Sequence, residues 1–172
     1  MTACPENAPL WVQNGWKDIG IHEQPENRGP YIARLIAESH CGEQGYPWCA
    51  MFANAKLETA GIKGTRSPSS QSFRHSADFV PLSGPALGAI VVYWRTPKQS
   101  GLGHVGFYIG EKPGYIYTLG GNEGDMVQVE FCAKAAGSFG LEGYYWPKSV
   151  PLPKIAPIAV AANVPSHLVS VT

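Results

Sequence analysis

Cys49, His104 and Asn122 are the residues of this chain whose types suit hydrolysis through a thiol. Such chemistry needs a thiolate nucleophile, an imidazole that pairs with it and later protonates the leaving amine, and a third group that orients the imidazole. Cys49 lies in Gly45-Tyr46-Pro47-Trp48-Cys49-Ala50-Met51-Phe52-Ala53. Pro47 disfavours the α region for Tyr46, so the chain should arrive extended and turn helical at Pro47 or Trp48, with Cys49 in the first helical turn. The free N–H groups and positive dipole end there favour a thiolate. A buried structural cysteine is the simpler account of one such residue. The downstream histidine weighs against it. In Gly103-His104-Val105-Gly106-Phe107-Tyr108-Ile109, the residues Val105, Phe107 and Ile109 point one way and His104, Gly106 and Tyr108 the other. If Lys112-Pro113-Gly114 closes a hairpin, His104 stands opposite residue 121, 122 or 123. Asn122 would then accept from the ring N–H through its side-chain carbonyl, and Glu123 is the alternative for that role.

The elements that must position these groups divide into two halves. Helices are expected over Leu10 to Ile19, from Pro30 to before Gly42, and from Cys49 to a left-handed stop at Gly61, with Cys49, Phe52, Ala53, Leu57 and Ala60 on one face. Ser70 could cap a short helix through His75 and Phe79. Everything up to about Val80 reads as helix and loop. Strand patterns follow at 88–94, 103–109, 115–119, 126–131 and 141–146, the first apolar on both faces like a central strand. Helices followed by an antiparallel meander of about five strands make an α+β domain over residues 1–150. Residues 151–172 read as a Pro/Ala/Val-rich tail, a linker or loosely docked segment.

Composition excludes several classes. The 172 residues are 44% hydrophobic and 15% charged, which is globular, and 13 basic residues balance 13 acidic ones without a basic run. That is no footprint for nucleic acid. The apolar run 155–164 falls well short of the ~18 residues of a membrane span. Cys4, Cys41, Cys49 and Cys132 form no close pair, and Cys49 must stay reduced to react, so synthesis in a reducing cytoplasm without a signal peptide is expected. No metal or cofactor is expected, because Cys49 and the histidines lack a close-spaced ligand pair. The turn Asn122-Glu123-Gly124-Asp125 lacks calcium-loop spacing. Glu23 and Glu26 share one polar loop and read as solvated rather than as a glycosidase pair. His22, His40, His75 and His167 read as ordinary surface residues.

Five stretches in order carry a resemblance: Pro47-Trp48-Cys49-Ala50-Met51-Phe52, Gly88-Ala89-Ile90-Val91-Val92, Gly103-His104-Val105-Gly106-Phe107-Tyr108-Ile109-Gly110, Leu119-Gly120-Gly121-Asn122 and Gly143-Tyr144-Tyr145-Trp146-Pro147. Together they resemble the cysteine/histidine-dependent amidohydrolase/peptidase (CHAP) and NlpC-type cysteine peptidases, in particular bacterial and phage cell-wall hydrolases with a Pro-Trp-Cys start. Gly20-Ile21-His22-Glu23 followed by Pro30-Tyr31-Ile32 is similar to that subgroup's lead-in. The resemblance implies a papain-like fold and cleavage of a peptidoglycan amide bond, with Cys49 as nucleophile, His104 as base and Asn122 at the orienting position. It also implies an oxyanion hole that includes the Cys49 N–H, with Tyr46 or Trp48 lining the site. A monomeric phage endolysin, or an antibacterial effector with an immunity protein as partner, is implied, acting on the wall after release or delivery into the periplasm. A cysteine hydrolase of a different amide and an inactive wall-binding module are the alternatives.

Overall fold

The computed structural model describes residues 3–159 and 169–171. Four helices come first: α1 (Leu10–Trp16), α2 (Pro30–Ser39), α3 (Cys49–Thr59) and the single turn α4 (Ser72–His75). They are followed by β1 (Phe79–Leu82), β2 (Ile90–Arg95), β3 (Gly103–Lys112), β4 (Tyr115–Glu123), β5 (Met126–Ala133), β6 (Ala135–Ala136), β7 (Phe139–Pro147) and β8 (Val169–Val171). The sheet runs β1-β7-β2-β3-β4-β5-β8, with β6 paired to β7 outside that path. Every pairing is antiparallel except β5 with β8. This is the expected α+β, papain-like arrangement, a cysteine-bearing helix laid on an antiparallel sheet, and β2 is central as its doubly apolar pattern requires.

α3 is the centre of the core. It packs between α1 and α2 on one side and β3 and β4 on the other, so every residue from Cys49 to Leu57 is buried, not only the face expected from the spacing. Pro47 precedes the helix, Trp48 is its N-cap, and Gly61, with φ 78°, provides the left-handed stop. β3 is likewise buried on both faces. Phe107 meets the ring of Phe52 in α3, and Tyr108 meets Tyr144 of β7.

The structure extends the expected sheet beyond about five strands. Phe79–Leu82 forms a strand where helix and loop were expected, because Phe79 buries against Phe73 and the segment pairs with β7 as an outer strand that tolerates Pro81. The first part of the tail is held by hydrogen bonds to its backbone groups: the Ala156 N–H donates to Pro85 O at 2.9 Å, the Glu111 N–H to Ile158 O at 2.8 Å, and the Ile158 N–H to the Tyr108 side-chain Oη at 3.1 Å. It thus continues along β3 instead of leaving the surface. The middle of the tail, 160–168, lies outside the described residues, as does His167.

A buried ion pair ties the helices together. Lys56 Nζ of α3 donates to Asp18 Oδ2 at 2.6 Å, which also accepts from Arg34 at 2.6 Å and the Tyr31 hydroxyl at 2.9 Å. Burial pushes the Asp18 carboxyl up, but the Lys56 hydrogen bond and charge, with the hydrogen bonds from Tyr31 and Arg34, outweigh it and hold the group below its ordinary value. Its folded pKa is therefore depressed, so its contribution to stability is complete above the ordinary carboxylate range and is lost as pH falls through the folded pKa. Asp18→Asn removes the nearer counter-charge of the buried Lys56 ammonium, leaving only Glu38 at 3.7 Å, and should cost about 3 kcal/mol. Urea unfolding at pH 7 measures the loss, and the gap between wild type and variant should narrow under strongly acidic conditions.

Candidate active site

The N-terminus of α3 is anchored from two directions. The fully buried Trp48 indole donates to Glu23 Oε2 and packs edge-on against Tyr31. Glu23 Oε1 in turn accepts from the Asn27 N–H at 2.9 Å, so the lead-in loop is clamped to the residue before Cys49. The same loop braces the far side of the site: the Gly20 N–H donates to Val127 O at 2.8 Å and the Glu23 N–H to Asp125 O at 3.0 Å. Glu23 is therefore an engaged positioning group, while Glu26 is exposed. A Cβ on Gly121 would meet Trp48 and Phe52 at 2.5–2.7 Å, so the glycine lets the end of β4 close over the start of α3.

Within this frame Cys49 and His104 come together. The thiol is buried but opens to a cleft of about 370 Å³ lined by Tyr46, Pro47, Ser69, Ser70, Arg95 and Leu102, among others. Burial pushes the Cys49 thiol up, yet the hydrogen bond and charge of His104, joined by the backbone N–H groups of Val105 and Ala50, outweigh it, and the thiol lies below its ordinary value. The other three cysteines go the opposite way. Burial raises Cys4 and Cys41, and burial with the Glu130 charge pushes Cys132 up to about 12. Alkylation at pH 6 should therefore label Cys49 first and Cys132 last, as peptide mapping after a short iodoacetamide pulse would show. Equal labelling of all four would contradict this assignment.

His104 is the one buried histidine among the described residues. Its Nε2 meets Glu123 Oε1 in a close contact, and neither atom has a further hydrogen-bond partner. With Nε2 on Glu123, the other ring nitrogen, Nδ1, is the one left for the thiol. The ring stacks at 6.2 Å from Tyr93, whose hydroxyl is tied to Thr118 at 2.6 Å. Glu123 is held from behind, since Gln128 Nε2 donates to its backbone carbonyl at 2.6 Å.

The third position is thus filled by Glu123 and not by Asn122. The hairpin register is as expected: Phe107 pairs with Leu119, which carried onward brings residue 122 opposite His104. At that point the β4–β5 ladder slips between Gly120 and Glu123, and Asn122 adopts a left-handed φ of 60°. Alternation along the strand is broken, Asn122 is left half-buried beside the site, and Glu123 takes the imidazole. Of the two aromatic residues expected to line the site, Tyr46 does so, 45% exposed at the Cys49 cleft, whereas Trp48 is fully buried beneath it.

Two further residues escaped the sequence reading. Arg95, exposed at the end of β2, lines both the Cys49 cleft and a second cavity of about 450 Å³ on the far side of His104. Glu130 of β5 lines that second cavity with His104 and Glu123. One ligand atom from each of these three residues lies within 4.8 Å of the others. The signal for Glu130 was a polar i, i+2 pair, Gln128 and Glu130, on one face of a strand whose other face is Val127, Val129 and Phe131. Among the described residues no helix is long and apolar enough to cross a membrane.

Residues 42–122 match the model of the CHAP domain. That stretch takes in all of α3, α4, β1, β2 and β3 and then β4 as far as Asn122, and so includes Cys49 and His104. No curated protein matches the chain. Among solved structures, RipD of Mycobacterium tuberculosis, described as a non-catalytic NlpC/p60 domain protein adapted to peptidoglycan binding, is 20% identical and aligns over 79% of this chain and 92% of its own with a TM-score of 0.43.

Proposed function

From a CHAP-domain match that spans both the helix presenting Cys49 and the strand presenting His104, we propose that the protein is a cysteine amidohydrolase that cleaves an amide bond of peptidoglycan. The observation that carries this reading is the buried chain of contacts Cys49–His104–Glu123, in which one imidazole faces a thiol on one side and a carboxylate on the other. A wall-binding module has no need of a thiol lowered by an imidazole or of a carboxylate committed to orienting that imidazole.

The chemistry follows from those contacts. The Cys49 thiolate attacks the carbonyl carbon of the scissile amide, and the oxyanion forms beside the Cys49 N–H, which is free at the first position of α3. His104 gives its proton to the departing amine, leaving a thioester on Cys49. The neutral ring then takes a proton from water, the hydroxide equivalent attacks the thioester, and the thiol leaves with its proton restored by His104. Glu123 holds the ring by its Nε2 side and stabilises the imidazolium without taking the proton. Tyr46, exposed at the cleft mouth, offers an aromatic face to the substrate.

As a carrier of this activity the protein is a monomeric hydrolase of the endolysin or antibacterial-effector kind, made in the cytoplasm and acting on the wall after release or delivery. Residues 1–150 form its catalytic domain. Incubation with purified peptidoglycan followed by mass spectrometry of the soluble fragments tests the proposal. Free stem peptides would identify a sugar–peptide amidase, and shortened stems an endopeptidase. Intact wall after prolonged incubation would overturn it.

A further inference from the structure

We propose that His104, Glu123 and Glu130 form a binding site for a divalent transition-metal cation of the zinc class, located behind the catalytic histidine and opening to the second cavity. The three side chains are buried, with exposures of 4%, 3% and 4%, and their ligand atoms lie within 4.8 Å of one another. Tetrahedral zinc holds nitrogen and oxygen ligands at about 2.0–2.2 Å, so an ion that parts the Nε2–Glu123 contact and draws Glu130 in fills three of four positions. Water from the cavity supplies the fourth.

What points to a cation, and not merely to an orienting carboxylate, is Glu130. Its Oε1 is buried without a hydrogen-bond partner, and its Oε2 has only the weak Cys132 thiol at 3.9 Å. With His104 Nε2 engaged by Glu123, this buried carboxylate has no other donor or counter-charge of its own, a costly arrangement that a cation shared by both carboxylates relieves. Arg95 lines the same cavity but is exposed, and among the described residues no ion pair joins it to Glu123 or Glu130. One imidazole and two carboxylates suit zinc, cobalt or manganese better than calcium, which takes an all-oxygen shell.

The proposal has a regulatory consequence, which rests on the reading of His104 as the acid–base group. A metal on Nε2 displaces Glu123 from the ring and bars the imidazolium, so an occupied site should silence hydrolysis. Removing the metal should restore it.

Calorimetric titration of zinc chloride into Cys49→Ala tests binding apart from catalysis. One site is expected, and Glu130→Gln in the same background should weaken it at least about tenfold. Cobalt(II) bound to the wild-type protein, which needs no variant to fold, should show ligand-field bands without a sulfur-to-metal charge-transfer band. Binding that is lost in Cys49→Ala, survives Glu130→Gln, or shows the sulfur band would place the metal on the thiol–imidazole pair and overturn the proposal. In wild type, zinc should suppress peptidoglycan cleavage and chelator should restore it. Zinc bound at this site without inhibition would uphold the site and count against His104 as the acid–base group.

Discussion

Cys49→Ser is expected to abolish cleavage of peptidoglycan, with fragment release falling to the level of protein-free controls. A hydroxyl has a far higher pKa than a thiol. The features that lower Cys49, namely the His104 contact and the N–H groups of Val105 and Ala50, are matched to a thiolate and offer a serine no comparable activation. The substitution is close to isosteric, so the melting temperature should hold and separate a chemical loss from a structural one. Retained activity with intact folding would remove the thiol from the mechanism.

His104→Ala should be nearly as damaging, lowering kcat/KM by about 10⁴-fold, because one ring both activates the thiol and protonates the leaving amine. Its effect on the thiol gives a second readout. With the ring gone, burial is opposed only by two backbone donors, so alkylation of Cys49 should slow and move to higher pH. The neighbouring residues then rank themselves: Glu123→Gln should cost about 10²–10⁴-fold through loss of alignment and charge, and Asn122→Ala less than about tenfold, since Asn122 sits beside the imidazole without holding it. Steady-state kinetics on a soluble muropeptide would give the order. A silent Glu123→Gln beside a crippled Asn122→Ala would restore the asparagine to the orienting role.

That inversion shows where the sequence was legible. The helix beginning at Cys49, its stop at Gly61, the central strand β2 and the β3–β4 register all follow from local rules of proline, glycine and alternation, and each is present. What local rules miss is a one-residue irregularity. The slip at Gly120–Glu123 costs nothing visible in composition, yet it exchanges which of two adjacent polar side chains reaches the histidine. Glu130 was hidden for a different reason. Its partners come from β3 and the end of β4, so only the assembled sheet reveals that a strand carboxylate is buried against a second one. Trp48 was misplaced because its proximity to Cys49 along the chain suggested the cleft, whereas helix geometry turns it inward onto Glu23 and Tyr31. The outer strand at Phe79–Leu82 is four residues long with a central proline, too short to show a period.

Digestion of purified peptidoglycan in ¹⁸O-labelled water tests whether Cys49, His104 and Glu123 hydrolyse an amide of the wall. Hydrolysis by this trio requires wild-type protein to generate new amine and carboxyl termini in equal numbers, with one ¹⁸O in each new carboxyl, and Cys49→Ala to generate none while still folding. Wild-type protein that sediments with the wall and leaves every amide bond intact would contradict it.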